Sequence, residues 1–119
     1  MAARATSLEF MILGPLEARL GGKRLDLGGT KQRALLAVLL LNANRVVAVE
    51  RLIDELWGDA PPETAANTLQ VYVSHLRKIL EPGVATAERV LQTRPPGYAA
   101  VVTDGQLDLQ RFEHLLVEG

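Results

Sequence analysis

The sequence of 119 residues predicts an α+β fold, and three observations carry that prediction. Short runs near both ends alternate apolar and polar residues, as half-buried strands require. Between them lie three segments whose apolar residues recur at helical spacing. The pattern changes at Gly-Gly, Pro-Pro and Gly-Pro pairs, which mark reversals of the chain.

Residues 1–7 carry no periodic pattern and are expected to form a disordered N-terminus. Leu8 to Leu13 reads as a strand, closed by a turn at Gly14-Pro15. Leu16 to Leu20 and Lys23 to Leu27 flank Gly21-Gly22, which supplies the positive φ of a tight hairpin. The chain therefore opens with a small antiparallel sheet. Thr30 stands where an N-cap is needed, and a helix follows from about Lys31 to Asn42. It is apolar nearly all round, which marks a central buried helix. Val46-Val47 is a short extended piece. A second helix, Val49 to Trp57, puts Leu52, Ile53, Leu56 and Trp57 on one stripe. Ala48 occupies its N-cap position, and alanine cannot cap, so this end is expected to be weakly held.

Gly58 to Pro62 is a stiff connection. A third helix runs from about Glu63 to Leu80 and stops at Glu81-Pro82-Gly83. Val84 to Glu88 is a loop; Arg89 to Thr93 and Tyr98 to Val102 are strands around Arg94-Pro95-Pro96-Gly97. Sheet, helix, helix, connection, helix, hairpin is the order of a winged helix-turn-helix. An unspecialised α+β domain is the alternative. We expect the domain to span 8–103. Residues 104–119 then begin a further helical region, because Leu109 to Val117 starts a helix with no packing partner left in the chain.

Composition narrows the function. There is no cysteine, and two histidines, His75 and His114, cannot build a metal site, so no metal is expected. The longest apolar run, Ala34 to Leu41, has eight residues, against the ~20 of a membrane helix. No basic region precedes an apolar stretch as a secretory signal requires, so a cytoplasmic protein without membrane contact is expected. There is no phosphate loop and no recognisable nucleophile-base pair, so neither catalytic residues nor a cofactor is expected. The net charge of -1 divides unevenly. Residues 1–103 hold twelve bases and ten acids, and residues 104–119 one base and four acids. A mildly basic domain permits nucleic-acid binding without requiring it.

The third helix is the informative element. At about 100° per residue, Ala65, Ala66, Leu69, Tyr72, Val73, Leu76, Ile79 and Leu80 form a core half. Glu63, Thr64, Asn67, Gln70, Val71, Ser74, His75 and Lys78 form the other, with Thr68 and Arg77 at the boundaries. Exposed helix faces are usually rich in Glu, Lys and Arg; this one carries amides, hydroxyls and a valine. Such groups match the edges of base pairs in a major groove, where an amide can bridge adenine and a methyl can meet thymine. Asn67, Gln70, Val71 and Ser74 are the candidates for base readout. Lys78 is placed toward phosphate. A boundary arginine such as Arg77 more often pairs with an acid, here Glu55, than meets DNA. Arg94 stands at the hairpin tip beside two prolines, suited to the backbone or the minor groove. Gly97 is read as permitting the reversal, and Tyr98 as holding the returning strand in the core.

These segments resemble the DNA-binding domain of the SARP regulators of antibiotic pathways, a branch of the OmpR-type winged-helix family. The resemblance covers Phe10 to about Tyr98. It rests on Leu13-Gly14-Pro15-Leu16, Thr30-Lys31-Gln32-Arg33-Ala34-Leu35-Leu36-Ala37 and Leu52-Ile53-Asp54-Glu55-Leu56-Trp57-Gly58. Pro61-Pro62, Ala66 to Ser74, Leu76-Arg77-Lys78 and Pro96-Gly97-Tyr98 complete it. Seven pieces in this order at these spacings are specific.

The resemblance implies an activator that binds direct repeats in double-stranded promoter DNA as a side-by-side dimer. It also implies recruitment of RNA polymerase holoenzyme with its sigma factor, through Asp59, Ala60 and Pro61 in the connection. Thr64, Thr68, His75, Arg77, Lys78 and Arg94 are the implied backbone contacts. Relatives often carry arginine where His75 stands, which weakens that assignment. Leu107 to Phe112 is similar to the start of the family's helical activation domain, so the chain is expected to end inside it. The competing function is a winged-helix module that binds protein without reading DNA.

Overall fold

The computed structural model describes residues 8–81 and 90–102. The expected disordered N-terminus, the Val84–Glu88 loop and the helix after residue 104 lie outside these residues. Among the described residues, two three-stranded sheets flank three helices. The first sheet comprises β1 (Leu8–Met11), β2 (Glu17–Leu20) and β3 (Lys23–Arg24), all antiparallel. Gly21 and Gly22 have φ of 60° and 85°, the left-handed pair that a two-residue hairpin needs. Leu8, Phe10 and Ala18 point into the core. β3 is shorter than the expected Lys23–Leu27. Leu25 still donates to Ala18 O at 2.9 Å, but Asp26 then turns the chain by accepting the Gly28 N–H at 3.1 Å.

Helix α1 (Thr30–Leu41) buries Leu35, Leu36, Leu39 and Leu40 completely and packs on α2 (Val49–Trp57), on α3 (Ala65–Leu80) and on β6 (Gly97–Ala100). The N-cap is Gly29, not Thr30. Gly29 is extended and its carbonyl already takes the Arg33 N–H at 2.9 Å, so Thr30 is inside the helix and no side chain caps the end.

The short extended piece is β4 (Val47–Ala48), and it joins β6 and β5 (Leu91–Arg94) in the second sheet, order β4-β6-β5. Gly97 is not the reversal residue; Pro95-Pro96, joined by a cis bond, make the turn. Gly97 is needed for a different reason. It is buried against β4, and a Cβ there would collide with the Val47 carbonyl. Tyr98 is buried as expected, opposite Val47.

Ala48 is the N-cap of α2 and makes no side-chain cap bond. That end is nonetheless tied down, because the Val49 N–H donates to Pro96 O at 3.1 Å. The hairpin thus supplies what alanine lacks. Gly58 ends α2 at φ 63° with its N–H on Asp54 O at 2.9 Å. α3 begins at Ala65 rather than Glu63. Glu63 and Thr64 belong to a turn closed by Ala65 N–H to Pro62 O at 3.1 Å, and Thr64 is an N-cap without a side-chain bond. No helix among the described residues is long and apolar enough to cross a membrane, and no cluster of metal-ligating side chains occurs among them.

Candidate nucleic-acid interface

α3 divides as its spacing requires. Leu69, Val73, Leu76 and Leu80 are buried, while Asn67, Gln70, Val71, Ser74 and Lys78 are exposed. Val71 keeps 49% of its surface, an unusual cost for an aliphatic side chain on an otherwise polar face. Thr64 is exposed at the N-cap and Thr68 half-buried. Ala66, placed in the core half by its angle, is exposed instead. It lies in the first turn, immediately after the exposed connection, where the helix has not yet met its partners.

The helix is held from three sides, and most of the holding residues escaped sequence reasoning. Trp57 of α2 stacks on Tyr72 with ring centroids 6.5 Å apart and planes 14° apart. Lys31 of α1 lies 5.7 Å from the Trp57 ring and donates to Leu56 O at 2.9 Å, closing the C-terminal end of α2. Gln32 is a buried polar side chain. Its Nε2 donates to Leu27 O at 2.9 Å and its Oε1 faces His75 Nδ1 at 3.4 Å. Arg33 donates to Leu16 O at 2.8 Å and ties α1 to the first sheet. The run Thr30–Ala37 signalled importance but not this division of labour. Lys, Gln and Arg in one helical turn point three ways, and only the neighbouring elements decide what each meets.

His75 is exposed and engaged with Gln32, so it links α3 to α1. Arg77 departs from the expected pairing with Glu55. Its Nε donates to Leu91 O at 2.9 Å and its Nη2 to Thr93 Oγ1 at 2.9 Å, both on β5. The reason is placement: the boundary of α3 that carries Arg77 faces the hairpin. Arg77 and Lys78 also lie in the last turn of α3, where the helix dipole favours cations.

Arg94 is exposed at the end of β5, and its Nε and Nη2 both reach Gln92 Oε1, at 3.0 and 2.7 Å. Gln92 therefore orients the guanidinium plane at the hairpin tip. Asp59, Ala60 and Pro61 are exposed in the connection between α2 and α3. That loop is shaped by Gly58, by Pro61-Pro62 and by a long Ala60 N–H contact to Trp57 O at 3.4 Å.

A polar, nearly uncharged helix face beside an arginine-tipped hairpin is the arrangement of a DNA-reading winged helix. The comparisons with known proteins agree. Residues 22–100 match the family described as "Transcriptional regulatory protein, C terminal". MoaR1 of Mycobacterium tuberculosis, a transcriptional regulatory protein, is 42% identical over 112 residues, which cover 93% of this chain and 36% of that one. EmbR of Mycobacterium tuberculosis, also a transcriptional regulatory protein, is 43% identical over 115 residues, 94% of this chain and 30% of that one. The chain thus spans about a third of the length of these relatives. The solved structure of EmbR with a low-affinity phosphopeptide superimposes with a TM-score of 0.83, covering 89% of this chain and 28% of that one. The RstA DNA-binding domain of Klebsiella pneumoniae, in complex with the RstA box, has a TM-score of 0.62 at 24% identity, covering 80% and 91%. That second likeness speaks for the fold alone. The chain belongs to the transcriptional regulatory protein family defined by this OmpR-type, DNA-binding winged-helix domain, in its SARP branch.

Proposed function

We propose that this chain is the promoter-reading domain of a bacterial transcriptional activator working in the cytoplasm. It binds direct repeats in double-stranded DNA as a side-by-side dimer. α3 enters the major groove with Asn67, Gln70, Val71 and Ser74 toward base edges. Thr64, Thr68, His75 and Lys78 lie toward the phosphates, and Arg94 reaches the backbone or minor groove from the wing. The α2–α3 connection, through Asp59, Ala60 and Pro61, faces RNA polymerase holoenzyme and its sigma factor.

The observation that carries the reading is the exposed face of α3, where amides, a hydroxyl and a valine stand where solvated charges are usual. An uncharged face gains little from bare phosphate and much from a matched base sequence. Footprinting on the promoter beside the gene, at two salt concentrations, tests it. The expected result is two protected half-sites in direct orientation, with affinity falling steeply as salt rises. A surface that binds protein only gives no footprint at either salt concentration.

A further inference from the structure

Resting on the reading of Arg94 as a wing contact, we infer that Arg77 is a positioning residue that fixes the wing to the reading helix. Three observations converge. The Arg77 guanidinium spans from α3 to β5 with two bonds, to Leu91 O and to Thr93 Oγ1, at 2.9 Å each. One turn later Glu81 accepts the Val90 N–H at the entry to the same strand. Thr93 is the residue before Arg94, and its cross-strand partner is Tyr98, whose ring is buried in the core. Arg77 therefore meets the hairpin at the last point before its tip.

The hairpin needs such a tie. β5 and β6 pair with each other, and among the described residues only the two of β4 extend the sheet. The outer edge of β5 has no strand beside it among the described residues, and the tip beyond Thr93 is exposed. A tip free to pivot would carry Arg94 through many positions, and ordering it on DNA would cost binding energy. A planar guanidinium with two acceptors on one strand is suited to prevent the pivot, since two bonds from one rigid plane fix orientation as well as distance. Arg77 in this role acts on DNA through Arg94, and its own charge need not touch phosphate.

The test combines four variants of the protein, Arg77→Met, Arg77→Lys, Thr93→Val and Arg94→Ala, with two readouts. The first is amide hydrogen exchange in the free protein. Thr93→Val removes one acceptor and leaves the core intact. We expect roughly tenfold faster exchange at the Arg94, Gly97 and Tyr98 amides in Arg77→Met, a smaller rise in Thr93→Val, and unchanged rates in α2. Arg77→Lys keeps the charge without the fork and should behave like Arg77→Met. Unchanged exchange at the hairpin in Arg77→Met overturns the proposal, and so does a uniform rise across the domain.

The second readout is DNA affinity against salt. Arg94→Ala in the wild-type background should lower the log–log salt slope by about 1. In the Arg77→Met background it should change affinity much less, because the wing no longer delivers Arg94. Additive slope losses, with Thr93→Val silent, would make Arg77 a direct phosphate contact and overturn the proposal. If Arg94→Ala leaves the wild-type slope untouched, the wing-contact reading falls, and the exchange experiment still decides whether Arg77 holds the hairpin.

Discussion

Gln70 and Gly97 make opposite contributions, one by the side chain it offers and the other by having none. Gln70 is exposed midway along α3, with an amide that can donate and accept in one plane. If it reads a base pair, Gln70→Ala should cost roughly 1–3 kcal/mol on the cognate site and leave non-specific binding unchanged. Competition binding against operators altered one pair at a time checks this, and loss of equal size on every sequence would mean that Gln70 reads nothing. Gly97 works by absence. Its backbone passes so close to Val47 that a methyl group would strike the Val47 carbonyl, a rigid neighbour that cannot step aside. Gly97→Ala should therefore break the β4–β6 pairing and lower stability by about 3 kcal/mol or more, read by chemical denaturation. In the sequence Gly97 looks like a turn residue, because glycine at a hairpin ordinarily supplies φ. The close approach of β4 comes from half the chain away, and no local pattern records it.

At the scale of elements, helices were legible and their ends were not. The spacing of Leu69, Val73, Leu76 and Leu80 locates the buried side of α3 and, opposite it, the exposed polar face. The starts of α1 and α3 lie a residue or two from where the sequence predicts them, because no side-chain cap holds them. Backbone bonds do so instead, and those depend on the turns before each helix. The second sheet was half visible: β5 and β6 follow from a local hairpin, whereas β4 is two residues long and becomes a strand only through β6. α2 gives this a measurable form. Ala48 is extended, at φ -64° and ψ 148°, and the Val49 amide is already satisfied by Pro96. Ala48→Ser adds an acceptor for the next amides of the first turn without disturbing that bond. It should stabilise the domain by about 0.5–1 kcal/mol, seen as a higher urea midpoint with an unchanged slope. No gain would mean that the hairpin already satisfies the whole end of the helix.

Across the whole molecule, the two sheets brace one helix bundle from opposite ends of the chain, and α3 is fixed by ties from α1, α2 and β5. The connection from Gly58 to Thr64 lies outside that bracing and is exposed throughout. Two prolines and the positive φ of Gly58 hold its shape, and Asp59 presents an acid on it. One explanation is structural: the loop sets the angle between α2 and α3. The other is a preformed surface for polymerase, and a rigid loop loses little entropy on docking. Asp59→Ala separates them, because Asp59 lies outside the exposed face of α3 and its carboxylate takes no part in the core. Folding and promoter affinity should stay within about 0.5 kcal/mol of the parent. Transcription reconstituted with purified polymerase should fall while the footprint persists, if the loop is the contact. A parallel fall in footprint and transcription would make it a spacer between helices. Full transcription with a full footprint would move the contact to another surface.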